Sequence, residues 1–279
     1  TGCNAVVVSV LQPSGSSVGS AGACTSGTGF MDSIKLPVTG SYTVLVNPQG
    51  TTTGSVTVLL NTFTDVTGTI SVGTPLTAST TTAGQNALYT FSGTAGQQMS
   101  MNLTGNSYIG CNAVVVSILQ PSGASVGSAG ACTNGTGFMD SITLPVTGTY
   151  TALVNPQGTT TGSVTVLLNA FADVTGSITP GTPLTATTTV AGQNARYTFS
   201  GTSGQTVSAS LTGNTYAGCN AVVISILKPD GSTLESTGLC TGGSGSLNPV
   251  AIPSTGTFTV LVNPQGTTTG SVTVALTLN

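Results

Sequence analysis

Apolar and polar residues alternate with period two along most of this chain, and each alternating run is closed by Gly, Pro, Ser or Asn. Ala87, Tyr89 and Phe91 interleave with Leu88 and Thr90, and Met99, Met101 and Leu103 interleave with Ser100 and Asn102. Successive side chains of a strand point to opposite faces, so both runs predict half-buried strands. The run 113–119 is more continuously apolar and predicts a central strand covered on both sides. Runs 150–155 and 163–168 alternate again around the loop from Asn155 to Gly162, which reads as a hairpin with a long connection. No stretch keeps a 3.6-residue period over three turns, and 39 Gly with 13 Pro oppose helices. The expectation is an all-β chain.

The pattern also repeats. Gly2-Cys3-Asn4-Ala5-Val6-Val7 returns 108 residues later at 110–115 and again at 218–223. Residues 1–64 laid on 109–172 differ at nine positions. Seven to nine short strands in each 108-residue period, with turns rich in Gly, Ser and Pro, predict tandem β-sandwiches of jelly-roll or immunoglobulin-like type. A solenoid is excluded because its coils run to about 20–45 residues. The repeat frame starts at Asp65-Val66-Thr67-Gly68 and restarts at Asp173-Val174-Thr175-Gly176. This divides the chain into a partial sandwich over 1–64 that lacks its first strands, a complete one over 65–172 and another over 173–279. Residues 1–64 are then expected to leave strand edges and core side chains uncovered. Either they belong to a longer array or strands of another chain complete them.

Composition narrows the function. Lys35, Arg196 and Lys228 are the only cations, so neither a nucleic-acid footprint nor a polybasic membrane contact can form. No apolar run approaches the roughly 20 residues of a spanning helix, so membrane insertion is not expected. Charged residues make up 3% of the chain and the net charge is -3, which leaves little repulsion between copies and favours self-association. With no His, Ser-His-Asp and Cys-His arrangements are impossible. The acids are Asp32, Asp65, Asp140, Asp173, Asp230 and Glu235, and only Asp230 with Glu235 offers a local pair. The chain is therefore not expected to be an enzyme, and no cofactor is implied. Asp65 and Asp173 are the calcium candidates, each competing with the ordinary role of an Asp that orders a turn.

The six cysteines fall as one pair per repeat at constant spacing: Cys3 with Cys24, Cys111 with Cys132, and Cys219 with Cys240. Constant spacing argues for a bond inside each repeat, with pairing between repeats or between chains as the alternative. Disulfides place the protein outside the cytosol, in the extracellular space or on a cell surface. Asn-Pro-Gln-Gly-Thr-Thr-Thr-Gly is unchanged at 47–54, 155–162 and 263–270. Turn chemistry accounts for Pro and Gly there but not for Gln and three Thr. Asn47, Gln49 and Thr51, Asn155, Gln157 and Thr159, and Asn263, Gln265 and Thr267 are therefore candidate contacts to a neighbouring repeat, another chain or a glycan.

The frame Asp-Val-Thr-Gly, then Thr-Thr-Ala-Gly-Gln-Asn-Ala-x-Tyr-Thr-Phe-Ser-Gly-Thr-Ala-Gly-Gln, then Leu-x-Pro-x-Gly, then Leu-Pro-x-Thr-Gly-x-Tyr-Thr-x-Leu-Val-Asn-Pro resembles the β-sandwich repeats of large bacterial exported proteins. These are similar to the modules called pre-peptidase C-terminal domains. The resemblance implies an exported spacer, adhesive element or accessory binding module with no catalytic residues to carry over. The expected function is a self-associating structural subunit of a filament, stalk or sheath. The alternative is a surface adhesin or carbohydrate-binding array, although the absence of Trp leaves few aromatic platforms for a sugar.

Overall fold

A computed structural model describes residues 4–279, and the pairing expected of Cys3 lies outside them. Among the described residues there is no helix, and so none long and apolar enough to cross a membrane. The partial repeat holds β1 (Val6–Leu11), β2 (Ser17–Ala23) and β3 (Thr43–Pro48). The second repeat runs β4 (Val66–Thr69), β5 (Leu76–Thr80), β6 (Ala87–Gly93), β7 (Gln98–Thr104), β8 (Val114–Leu119), β9 (Ser125–Ala131), β10 (Gly137–Thr143), β11 (Gly148–Pro156) and β12 (Gly162–Phe171). The third repeats that order: β13 (Val174–Ser177), β14 (Leu184–Thr188), β15 (Ala195–Gly201), β16 (Thr206–Thr212), β17 (Val222–Leu227), β18 (Thr233–Leu239), β19 (Gly245–Ala251), β20 (Gly256–Pro264) and β21 (Gly270–Leu278).

In the second repeat a five-stranded sheet, β4-β6-β11-β8-β9, faces a four-stranded one, β10-β7-β12-β5. The third repeat pairs β13-β15-β20-β17-β18 with β14-β21-β16-β19. All ladders are antiparallel except β4 with β6 and β13 with β15. The alternation seen in sequence becomes the inside and outside of these sheets: Ala87, Tyr89, Phe91, Met99, Met101 and Leu103 are all buried. They join Tyr108, Tyr150 and Leu168 in one core, and an equivalent core around Tyr216, Phe258 and Leu276 fills the third repeat. The Phe91 and Tyr150 rings stack at 5.7 Å between centroids, and Tyr150 donates its hydroxyl to the Val146 carbonyl at 2.7 Å. A ring at this position thus fills the core while its polar end is satisfied at the rim.

Two local expectations are corrected. Strands β11 and β12 do not form a hairpin. They lie in opposite sheets, and the Asn155–Gly162 loop carries the chain from one sheet to the other. Alternation fixes which side chains face inward, and two strands of a sandwich can satisfy it across the core as well as edge to edge. Strand β8 is central in its sheet, between β11 and β9, but it buries only one face while the other stays half-buried.

Candidate functional site: the joint between repeats, the shared loop and the cysteine clasp

Strand β12 ends at Phe171 and β13 begins at Val174, so two residues connect the second repeat to the third. The loop from Thr189 to Asn194 folds back across this connection. Gln193 Nε2 donates to the Ala172 carbonyl at 2.8 Å, and Gln193 Oε1 accepts the Thr189 N–H at 2.9 Å. The loop is also bonded to the preceding sandwich: Ser100 Oγ on β7 donates to the Ala191 carbonyl at 2.6 Å, and both residues are buried. Next to it, Gln98 Oε1 accepts the Asp173 N–H at 2.9 Å. Gly192 sits at the contact with φ +85, and a Cβ there would lie 2.9 Å from Ser100 Cβ and 3.4 Å from Asp140 Oδ1. Glycine is required by both conformation and space.

Asp140 owes its place to a bulge on edge strand β10, between Met139 and Ile142, where it accepts the Ser141 N–H at 2.7 Å. The third repeat has Asn248-Pro249 at its own bulge, which suits a residue without a donor. The junction between the partial and second repeats keeps the loop half of this joint, without counterparts of the Ser100 and Gln98 bonds. Gln85 Nε2 donates to the Thr64 carbonyl at 2.8 Å, and Gly84, with φ +83, lies against Phe30, Ser33 and Phe63. Composition and periodicity did not single out Gln98, Ser100 or Gly192. Gly192 alone lies in a repeated block, Thr-x-Ala-Gly-Gln-Asn at 81–86 and 189–194, which carries no apolar stripe because the joint is made through backbone carbonyls.

The shared loop is held inside its own repeat. Gln157 N–H and Thr160 Oγ1 both donate to the Ala113 carbonyl, at 2.8 and 3.2 Å, Thr160 Oγ1 also reaches the Gln157 carbonyl at 2.9 Å, and Gln157 Nε2 donates to the Asn155 carbonyl at 3.1 Å. Gln49 with Thr52 bonds Ala5 and Asn47 in the same way, and Gln265 with Thr268 bonds Ala221 and Asn263. The Gln and the middle Thr thus have a local structural role, while Thr51, Thr159 and Thr267 remain exposed. Asn155 Oδ1 is buried without a hydrogen-bond partner, as is Asn86 Oδ1. Beside the loop, Ile109, Thr159, Thr160 and Thr161 line an open depression of about 340 Å³ with no aromatic wall.

Cys219 and Cys240 form a disulfide. Cys111 and Cys132 bring their Sγ atoms to 2.6 Å, a contact that lowers the Cys132 thiol pKa and raises that of Cys111. Asn106 Nδ2 donates to the Cys132 carbonyl at 2.8 Å and Asn214 Nδ2 to the Cys240 carbonyl at 2.7 Å, so each cysteine pair is tied to the loop that follows β7 or β16. Asp65 accepts the Asn86 N–H at 3.0 Å. Asp173 accepts the Asn194 N–H at 3.1 Å and pairs with Arg196 Nε at 2.9 Å. Each carboxylate therefore braces the end of a loop 21 residues further on, and among the described residues no group of three His, Cys, Asp or Glu could hold a metal. Asp230 accepts Ser232 N–H and Oγ, which lowers its pKa, while Glu235 accepts from Asn248.

Residues 193–264 match the family model of the bacterial pre-peptidase C-terminal domain, the family whose frame the sequence resembles. Such domains occur in secreted bacterial proteins, and with the disulfide the match fits a β-rich extracellular domain. No curated protein matches the chain. Solved structures with some similarity include PliG of Aeromonas hydrophila, a periplasmic inhibitor of g-type lysozyme. It shares 18% identity at a TM-score of 0.29, over 39% of this chain and 100% of that one. The PBSX exported protein XepA shares 10% identity at a TM-score of 0.29, over 75% of this chain and 88% of that one. Neither likeness carries over a function.

Proposed function

We propose that this chain is a non-catalytic structural module of an extracellular filament, stalk or sheath, in which tandem sandwiches act as stiff, disulfide-clasped spacers and copies associate through uncharged Thr-rich surfaces. The observation that carries the reading is the joint: a two-residue connection with the Ser100 to Ala191 bond buried beside it. A free linker would leave two sandwiches to tumble separately, whereas a buried bond across the junction restricts them to one relative orientation. The glycan-array alternative has less support, because Gln157 and Thr160 are used within the repeat and the depression beside them lacks an aromatic platform.

Small-angle scattering on the chain and on Gly192→Val tests the spacer role. The substitution forces a branched side chain into left-handed backbone and against Ser100, strain of order 1–3 kcal/mol. Wild type should scatter as an extended rigid particle and the variant as a flexible one. Equal flexibility in both would sink the spacer reading. Electron microscopy of concentrated wild type tests association, since dispersed particles at every concentration would remove the filament.

A further inference from the structure

Three cations serve 279 residues, and two of them stand at the joints. Lys228, the one that does not, shares a turn with Asp230, where its N–H donates to the Ser232 carbonyl while the Asp230 carboxylate accepts the Ser232 N–H. Arg196 binds Asp173, which opens the third repeat, through Nε at 2.9 Å, and the Asp173 side chain is only 9% exposed. Asp65 opens the second repeat in the same way, but the position corresponding to Arg196 is Leu88. The remaining cation, Lys35, lines one cavity of about 270 Å³ with Asp65, Phe63, Thr64, Ser33 and Ile34. We infer that Lys35 is the cationic partner of Asp65, forming an ion pair that crosses from the partial repeat to the second.

The second joint, between two complete sandwiches, shows why position 35 suits this role. Residue 35 corresponds to Thr143, which ends β10 opposite Gln98 on β7, and Gln98 Oε1 accepts the Asp173 N–H at 2.9 Å. A long side chain at this position therefore starts close to the carboxylate that opens the next repeat. Lys35 occurs with Leu88, and Thr143 occurs with Arg196, so each joint receives one cation. It comes from the preceding repeat at the first joint and from the following repeat at the second. Asp65 Oδ1 already accepts the Asn86 N–H, and Asn86 Oδ1 is buried without a partner. An ammonium carries three donors, so it has a use for that second acceptor. The two arrangements differ in what they hold. Asp173 and Arg196 belong to one repeat, whereas Lys35 and Asp65 tie two repeats through a contact that salt screens. The pair does not rest on the filament reading, since it would cross the joint equally in a chain that never assembles.

The test is zero-length crosslinking of the full chain with a water-soluble carbodiimide, which activates a carboxylate so that a neighbouring amine joins it as an amide with net loss of water. Peptide mass spectrometry should find Lys35 joined to Asp65, and Asp65→Asn should abolish that product. Asp32, three residues before Lys35, is the rival acceptor, and a Lys35 crosslink that goes to Asp32 and is unchanged in Asp65→Asn overturns the inference. A second measurement does not depend on crosslinking chemistry. In urea unfolding, Lys35→Met and Asp65→Asn should be coupled by about two- to fivefold in the equilibrium constant at low salt and uncoupled at about 1 M salt. Additive effects at low salt overturn the inference. Thr143→Lys combined with Arg196→Leu carries the first joint's arrangement to the second, and a crosslink from position 143 to Asp173 is expected there. Its absence would overturn the equivalence of the two joints on which the assignment of Lys35 stands.

Discussion

Residues 4–64 and 112–172 are close to the same sequence, yet only one of them is a finished half-sandwich. Both make the first sheet's inner ladders, β1 with β2 and β3, and β8 with β9 and β11. They part where a strand needs a neighbour from the first half of a repeat. Residues 162–171 form β12 between β5 and β7, while 54–63 form no strand, and β3 spans six residues where β11 spans nine. Strand structure at these positions is conferred by the cover and not by intrinsic preference, as expected where β propensity reports packing and pairing.

The most drastic way to break this contrast is to strip the cover from the second repeat. Met101 is fully buried on β7, and Met101→Asp would put an unpaired carboxylate in the core, a change expected to exceed about 4 kcal/mol. Exchange at 162–171 should then rise to the level of 54–63, with the third repeat still protected; a protected β12 in this variant would show that the segment is strand-like on its own. A smaller, paired test uses one substitution at two equivalent positions. Leu168→Ala should cost about 2–5 kcal/mol in urea unfolding of the second repeat. Leu60→Ala should stay within about 0.5 kcal/mol, because its side chain is largely in solvent. Equal costs would mean that the two faces are equally covered in solution.

Much of the fold was legible for the same reason. Alternation at Ala87, Tyr89, Phe91, Met99, Met101 and Leu103 named core residues directly, because period two has one reading once helices are excluded. The hairpin expected around 155–162 failed because alternation does not say which strand is the neighbour, and the loop instead bridges the two sheets. The joint was hidden because its partners are carbonyls of Ala172 and Ala191, which any residue could provide. Gln157 and Thr160 pointed to contacts that turn chemistry leaves unexplained. Their bonds to Ala113, 44 and 47 residues away in the chain, could be found only once the fold brought the loop back to the start of β8.

The mildest test exploits a difference already present. Of the nine positions at which the two segments differ, Val44 and Ala152 are equivalent and lie on the inward face, exposed in the first and 1% exposed in the second. Ala152 faces a closed core between Tyr89 on β6 and Ile118 on β8, where two extra methyl groups have no free volume. Ala152→Val should therefore destabilise the second repeat by about 1–3 kcal/mol through overpacking. Val44→Ala should change the thermal midpoint little, within about 0.5 kcal/mol, as for other exposed positions.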